Sequence, residues 1–161
     1  MDKKIRVLFV CLGNICRSPL AEGIFRYKIK KKGLSGHFEV DSCGTSNYHI
    51  GDQPDHRTSE NALNHGIRLS HQARQLFFED LKKFDYLLAM DRDNLRNIKK
   101  LDKEGDYGNK IFLLRSFAKI NNGEDVPDPY HGGEEGFENV YNIIDQSVDA
   151  LLNYLTEKKQ N

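Results

Sequence analysis

Cys11 and Arg17 enclose the segment Cys11-Leu12-Gly13-Asn14-Ile15-Cys16-Arg17-Ser18. A thiol becomes a nucleophile once it is a thiolate. A guanidinium can grip two oxygens of one phosphate, which an ammonium cannot reproduce. Gly13 frees the backbone to turn, and Asn14 tolerates the left-handed conformation that a tight loop needs. Such a loop, wrapped at a helix N-terminus, aims several backbone N–H groups inward and makes a cradle for a dianion. The helix dipole, worth about 0.3–2 kcal/mol, is too weak to hold a thiolate alone. The N–H donors, the Arg17 charge and the Ser18 hydroxyl must add to it. By itself the Cys–Arg spacing is a weak signal, because a small buried cysteine often simply ends a strand.

The flanking elements supply what the spacing lacks. Ile5 to Val10 is apolar and β-branched apart from Arg6, as a central buried strand would be. Ser18-Pro19 predicts a helix start, with Ser18 as N-cap and Pro19 at the first helical position. Leu20, Ala21, Ile24, Phe25 and Ile29 continue that helix up to Gly33. Phe38 to Asp41 is a short second strand, and Pro54 opens a helix ending at Asn64-His65-Gly66. Phe84 to Ala89 is a third strand, followed by Asp91 as the cap of a helix through about Ile98. Ile111 to Leu114 is a fourth strand, and a polar loop from Asn121 to Gly136 holds Pro127 and Pro129. Phe137, Val140, Tyr141, Ile144, Val148, Leu151, Leu152 and Leu155 then form one apolar helix face. Strands alternating with helices predict an α/β, three-layer doubly wound fold, with a four-stranded parallel sheet flanked by helices and right-handed crossovers. In such folds ligands sit beyond the carboxyl ends of the strands, which is where Cys11 to Arg17 falls.

Composition narrows the class. A chain of 161 residues fits one domain, and no repeat or internal boundary divides residues 1–161. Lys plus Arg and Asp plus Glu both number 24, so net charge is zero and nucleic-acid binding is not expected. The three cysteines are an odd number crowded into the first third, which suits reduced thiols in the cytoplasm better than a secreted disulfide framework. The apolar run Val7 to Leu12 is at the short limit of a signal-peptide core and lacks a cleavage site after it, and no stretch is long enough to span a membrane. No CxxC or HxxxH pair is present, so no metal is expected.

Val7 to Ala21, VLFVCLGNICRSPLA, resembles the signature of the low-molecular-weight protein tyrosine phosphatases. The similarity continues through Asp41-Ser42, Asn64-His65-Gly66-Ile67, Ser70-His71-Gln72-Ala73-Arg74-Gln75, Phe84-Asp85-Tyr86, Met90-Asp91 and Asp128-Pro129-Tyr130. The resemblance implies hydrolysis of phosphotyrosine and small aryl phosphates through a phosphocysteine intermediate, with no metal or cofactor. Carried over by position, Cys11 is the nucleophile and Arg17 the phosphate clamp. Asp128 is the acid that protonates the leaving tyrosyl oxygen and then the base that activates water. Leu12, Gly13, Asn14, Ile15, Cys16, Arg17 and Ser18 form the phosphate-binding loop. Asn14, Ser18, Ser42 and His71 hold that loop by hydrogen bonds, and Asp91 supports them. Leu12, Tyr48 and Tyr130 match the walls around the substrate ring. The expected partner is a phosphotyrosine-containing protein, with neither nucleic acid nor membrane, met by a monomer or weak dimer in the cytoplasm.

Some readings stay open at the level of residues. Pro127 and Pro129 would restrict a loop presenting the Asp128 carboxylate, yet on the residues alone a solvated Asp in a proline turn is the simpler reading, and Asp125 competes for the role. His71 also suits a surface or capping position, and Tyr48 and Tyr130 could pack under loops. His131 stands where many relatives carry a second tyrosine. Ile15 stands where relatives acting on phosphoarginine tend to carry threonine, which favours phosphotyrosine. Cys16 is placed to form a reversible disulfide with Cys11 under oxidation, while Cys43 has no assigned role. Rival readings are an arsenate reductase, which needs resolving thiols beyond Cys43, and a phosphate-binding module, which needs no nucleophile.

Overall fold

The computed structural model describes residues 3–129 and 133–160. Its centre is strand β1 (Ile5–Cys11), in which Val7, Leu8, Phe9 and Val10 are fully buried. A strand covered on both faces has no solvent side to keep polar, hence the unbroken apolar run. β1 pairs in parallel with β2 (Phe38–Gly44) on one side and with β3 (Tyr86–Ala89) on the other, and β3 pairs with β4 (Ile111–Leu113). The order is therefore β2-β1-β3-β4. The chain leaves β1 toward one side for β2 and adds β3 on the other side, so the switch in direction falls beside the end of β1.

Side chains alternate across this sheet. Val7, Phe9 and Cys11 join a core with α1 (Arg17–Lys31) and α5 (Gly133–Gln160). Leu8 and Val10 face the other way, into a smaller core with α3 (Phe78–Lys83) and α4 (Arg92–Leu101). The remaining helix, α2 (His56–Asn64), packs against α5. The periodic residues of the last segment, from Phe137 to Leu155, are all buried. The expected four-stranded parallel sheet flanked by helices is thus observed. No helix among the described residues is long and apolar enough to cross a membrane.

Several local boundaries need correction, among them the third strand, which begins at Tyr86 and not at Phe84, the residue that caps the end of α3. Helix α1 begins at Arg17 with Cys16 at the N-cap, so Ser18 is inside the first turn and is not the cap. Pro19 is tolerated there because first-turn N–H groups have no partner in the helix. Strand β2 runs past Asp41 to Gly44. Helix α2 starts at His56, where Asp55 is the cap and accepts the Arg57 N–H at 2.8 Å.

Candidate active site

The loop after β1 is held from outside by its carbonyls. Those of Cys11, Leu12 and Ile15 accept the N–H groups of Thr45, Ser46 and Asp55 at 2.9, 3.0 and 2.7 Å. Engaged this way, the loop brings the Asn14 N–H to Cys11 Sγ at 3.3 Å. Asn14 has φ 59°, the left-handed conformation its side chain tolerates. Helix α1 has no side-chain cap hydrogen bond at Cys16, so its first-turn N–H groups are not taken up by a capping side chain. Gly44, opposite Cys11 in the register, is forced by sterics: a Cβ there would lie 2.6 Å from the Leu12 carbonyl oxygen.

Asn14 is the hub of the support. Its Nδ2 donates to Ser18 Oγ at 2.8 Å and to Ser42 Oγ at 3.0 Å. Its Oδ1 accepts the Arg74 backbone N–H at 3.0 Å, which fixes the orientation of the amide. His71 Nε2, 2.7 Å from the same Oδ1, must then be a donor. Ser42 donates to Glu22 Oε1 at 2.7 Å, and His71 Nδ1 lies 3.2 Å from that oxygen. Ser18 Oγ meets Cys11 Sγ at 2.9 Å and lies 3.3 Å from the Cys43 carbonyl oxygen. Glu22, Asp41 and His71 have ligand atoms within 4.8 Å of one another, as a metal site would. Arg26 already pairs with Glu22 at 2.8 Å and Arg74 with Asp41 at 3.0 Å, so cationic side chains occupy that role.

Arg17 is 4% exposed and is held through one terminal nitrogen. Its Nη1 donates to Asp91 Oδ2 at 2.7 Å and to the Val126 carbonyl at 2.9 Å. Burial works to lower its pKa, but Cys11, Asp91 and Asp128 outweigh that and hold it above the usual value. Asp91 also caps α4 by accepting the Asn94 N–H at 2.8 Å. A cleft of about 130 Å³ is lined by Cys11, Leu12, Arg17, Tyr48, His49 and Asp128, among others. Asp125 is not among its lining residues; it pairs with Arg92 at 3.2 Å. Burial, with smaller contributions from Asp55, Cys11 and Asp128, pushes the Cys16 thiol up to about 12. Burial also lifts the Cys43 thiol well above its ordinary range.

Of the residues picked out from the sequence, Cys11 to Ser18, Ser42, His71 and Asp91 converge on the loop, and Tyr48 and Asp128 stand at its cleft. Tyr130 and His131 lie outside the described residues. Sequence reasoning missed Glu22, Gly44, His49 and Arg74. Glu22 carried a readable signal, since it lies four residues after Ser18 on the same face of α1. The others depend on contacts between distant segments, which spacing does not encode.

The family described as low molecular weight phosphotyrosine protein phosphatase matches residues 6–161. The Schizosaccharomyces pombe low molecular weight phosphotyrosine protein phosphatase is 47% identical over 156 residues, covering 96% of this chain and 97% of that protein. A protein tyrosine phosphatase structure from Entamoeba histolytica superposes with a TM-score of 0.91 at 38% identity, over 97% of this chain and 99% of its own. A Drosophila arginine phosphatase structure gives a TM-score of 0.87 at 33% identity, over 94% and 98%. On its loop, its fold and these likenesses, the chain belongs to the low molecular weight phosphotyrosine protein phosphatase family.

Proposed function

We infer that the whole chain serves as one metal-independent protein tyrosine phosphatase domain, hydrolysing phosphotyrosine and small aryl phosphates through a phosphocysteine intermediate. The observation that carries this reading is the lining of a single cleft by Cys11, Arg17 and Asp128. Cys11 attacks phosphorus as a thiolate while the bond to the tyrosyl oxygen breaks. A thiolate can only accept, so the 2.9 Å contact is then donated by Ser18. Arg17 and the loop N–H groups meet the negative charge on the phosphoryl oxygens, which supplies the electrostatic stabilisation from the protein itself. Asp128 gives its proton to the leaving oxygen. As a carboxylate it then takes a proton from water, which attacks the phosphocysteine, releasing inorganic phosphate and restoring the thiolate.

The expected partner is a phosphotyrosine-bearing protein in the cytoplasm, met by a monomer or weak dimer. The zero net charge supports a protein partner over a nucleic acid. A second reading, phosphoarginine hydrolysis, is suggested by the likeness to the Drosophila arginine phosphatase. Ile15, which lines the cleft, favours the tyrosine ester by giving its ring an apolar neighbour. Turnover of phenyl phosphate, phosphotyrosine and phosphoarginine, measured in EDTA, tests both. Activity on the first two, inhibition by vanadate and loss in Cys11→Ser are expected. Undiminished turnover in Cys11→Ser would refute the mechanism, and a preference for phosphoarginine would overturn the substrate.

A further inference from the structure

Leu12 and Tyr48 form a ridge with a cavity on each side. One side faces the cleft of about 130 Å³ that holds Cys11. The other faces a groove of about 420 Å³ floored by the segment after β2 and by α4. Both ridge residues stand up into solvent, Tyr48 at 73% and Leu12 at 44% exposure. Three carboxamides line the groove, those of Asn47, Gln75 and Asn97, with Leu101 beside them. Thr45, on the same floor, has a buried hydroxyl oxygen without a hydrogen-bond partner. No carboxylate, ammonium or guanidinium is among the described residues of the lining.

We propose that this groove is a substrate subsite that takes the polypeptide flanking the phosphorylated tyrosine and selects an uncharged residue there; the proposal rests on the phosphatase reading above. A tyrosine ring held between the ridge and the rest of the cleft leaves its main chain at the mouth, next to the crest of Leu12 and Tyr48. A chain crossing that crest enters the groove directly. Each carboxamide both donates and accepts, matching the N–H and C=O groups of an extended peptide. Leu101 and the outer face of the Tyr48 ring offer apolar contact to a side chain. A charged side chain would lose its water there and find no opposite charge, so a neutral one is preferred. Small aryl phosphates never reach the groove, so its contacts separate protein substrates from small ones.

The experiment compares kcat/KM for phenyl phosphate with that for phosphotyrosine peptides carrying leucine, glutamine, lysine or aspartate on either side. Asn97→Trp, on half-buried ground in α4, fills the groove from outside the cleft that holds Cys11 and replaces no residue of the catalytic loop. Its expected effect is a fall of about tenfold on the leucine and glutamine peptides, with phenyl phosphate turnover unchanged. Asn97→Lys is expected to improve the aspartate peptides relative to the leucine ones. Wild-type values on the neutral peptides in Asn97→Trp, an equal loss on both substrate types, or an unchanged peptide ranking in Asn97→Lys would each overturn the subsite. Those failures leave phenyl phosphate hydrolysis by the unaltered protein intact. Absence of that hydrolysis instead removes the phosphatase reading, and the subsite with it.

Discussion

Asp128 and Asp125 are three residues apart and chemically alike, so their surroundings decide which can act as the acid. Asp125 accepts from both the backbone and the side chain of Arg92, at 3.0 and 3.2 Å, while Asp128 lines the cleft with Cys11. Replacing Asp128 by Ala should slow turnover of phenyl phosphate by about 10²–10⁴, the contribution of a positioned proton donor. Asp125→Ala should change it far less, and steady-state kinetics on the two variants will rank them. Cys16 carries a different consequence. Bridging needs peroxide to oxidise Cys11 to a sulfenic acid, whose sulfur the Cys16 thiolate attacks, forming the S–S bond and releasing hydroxide. With its thiol held at about 12, Cys16 is almost wholly protonated at neutral pH. Each added pH unit raises the attacking thiolate about tenfold. Disulfide yield after a brief peroxide pulse should therefore climb from pH 6 to pH 8, as read by peptide mass mapping. At this scale the loop was legible because Cys11, Gly13, Asn14 and Arg17 are neighbours in sequence. Arg74 was not, because it acts on Asn14 through a backbone N–H, which carries no residue-type signal.

Helix α5 was legible from its apolar face alone, since a long 3.6-residue period outweighs local irregularities. Helix α3 escaped because it is six residues long, shorter than the windows in which periodicity emerges. The Ser18-Pro19 pair misled for a physical reason: Ser18 is drawn into hydrogen bonds with Cys11 and Asn14, so the helix starts before it. The join between α2 and α5 makes a prediction of its own. His65 stacks on Tyr141 with ring centroids 3.7 Å apart and meets Glu138 Oε1 at 2.8 Å, while Asn61 donates to the same oxygen at 2.9 Å. Hydrogen bonds from His65 and Asn61 hold the Glu138 carboxyl below its usual range. A folded-state pKa below the unfolded one gives stability that is present above the unfolded value. That stability is lost as pH falls through the folded one. The acid limb of thermal stability should accordingly be shallower in Glu138→Gln than in the unaltered protein. The pair is partly exposed, so the difference should be small and should shrink further in high salt.

The molecule as a whole depends on the larger of its two cores, where α1 and α5 close over one face of the sheet. Ile144 is fully buried there. Ile144→Ala should cost about 2–5 kcal/mol in urea unfolding, because the lost contacts leave a cavity that close-packed neighbours cannot fill. The general architecture was legible because strands and helices alternate. How the segment before α5 meets the loop after β1 was not, because Val126 is an ordinary apolar residue in sequence. In the fold, Val126 gives its N–H to the Met90 carbonyl at 2.7 Å and its own carbonyl to Arg17 at 2.9 Å. Arg17, the proposed phosphate clamp, and the segment carrying Asp128, the proposed proton donor two residues after Val126, are thus one fastening. The two should behave as a single unit in a thermodynamic cycle: once Arg17→Met has released Val126, adding Asp128→Asn should reduce turnover by much less than it does alone. Multiplicative losses would mean that the fastening transmits nothing, and that grip and acid merely share a cleft.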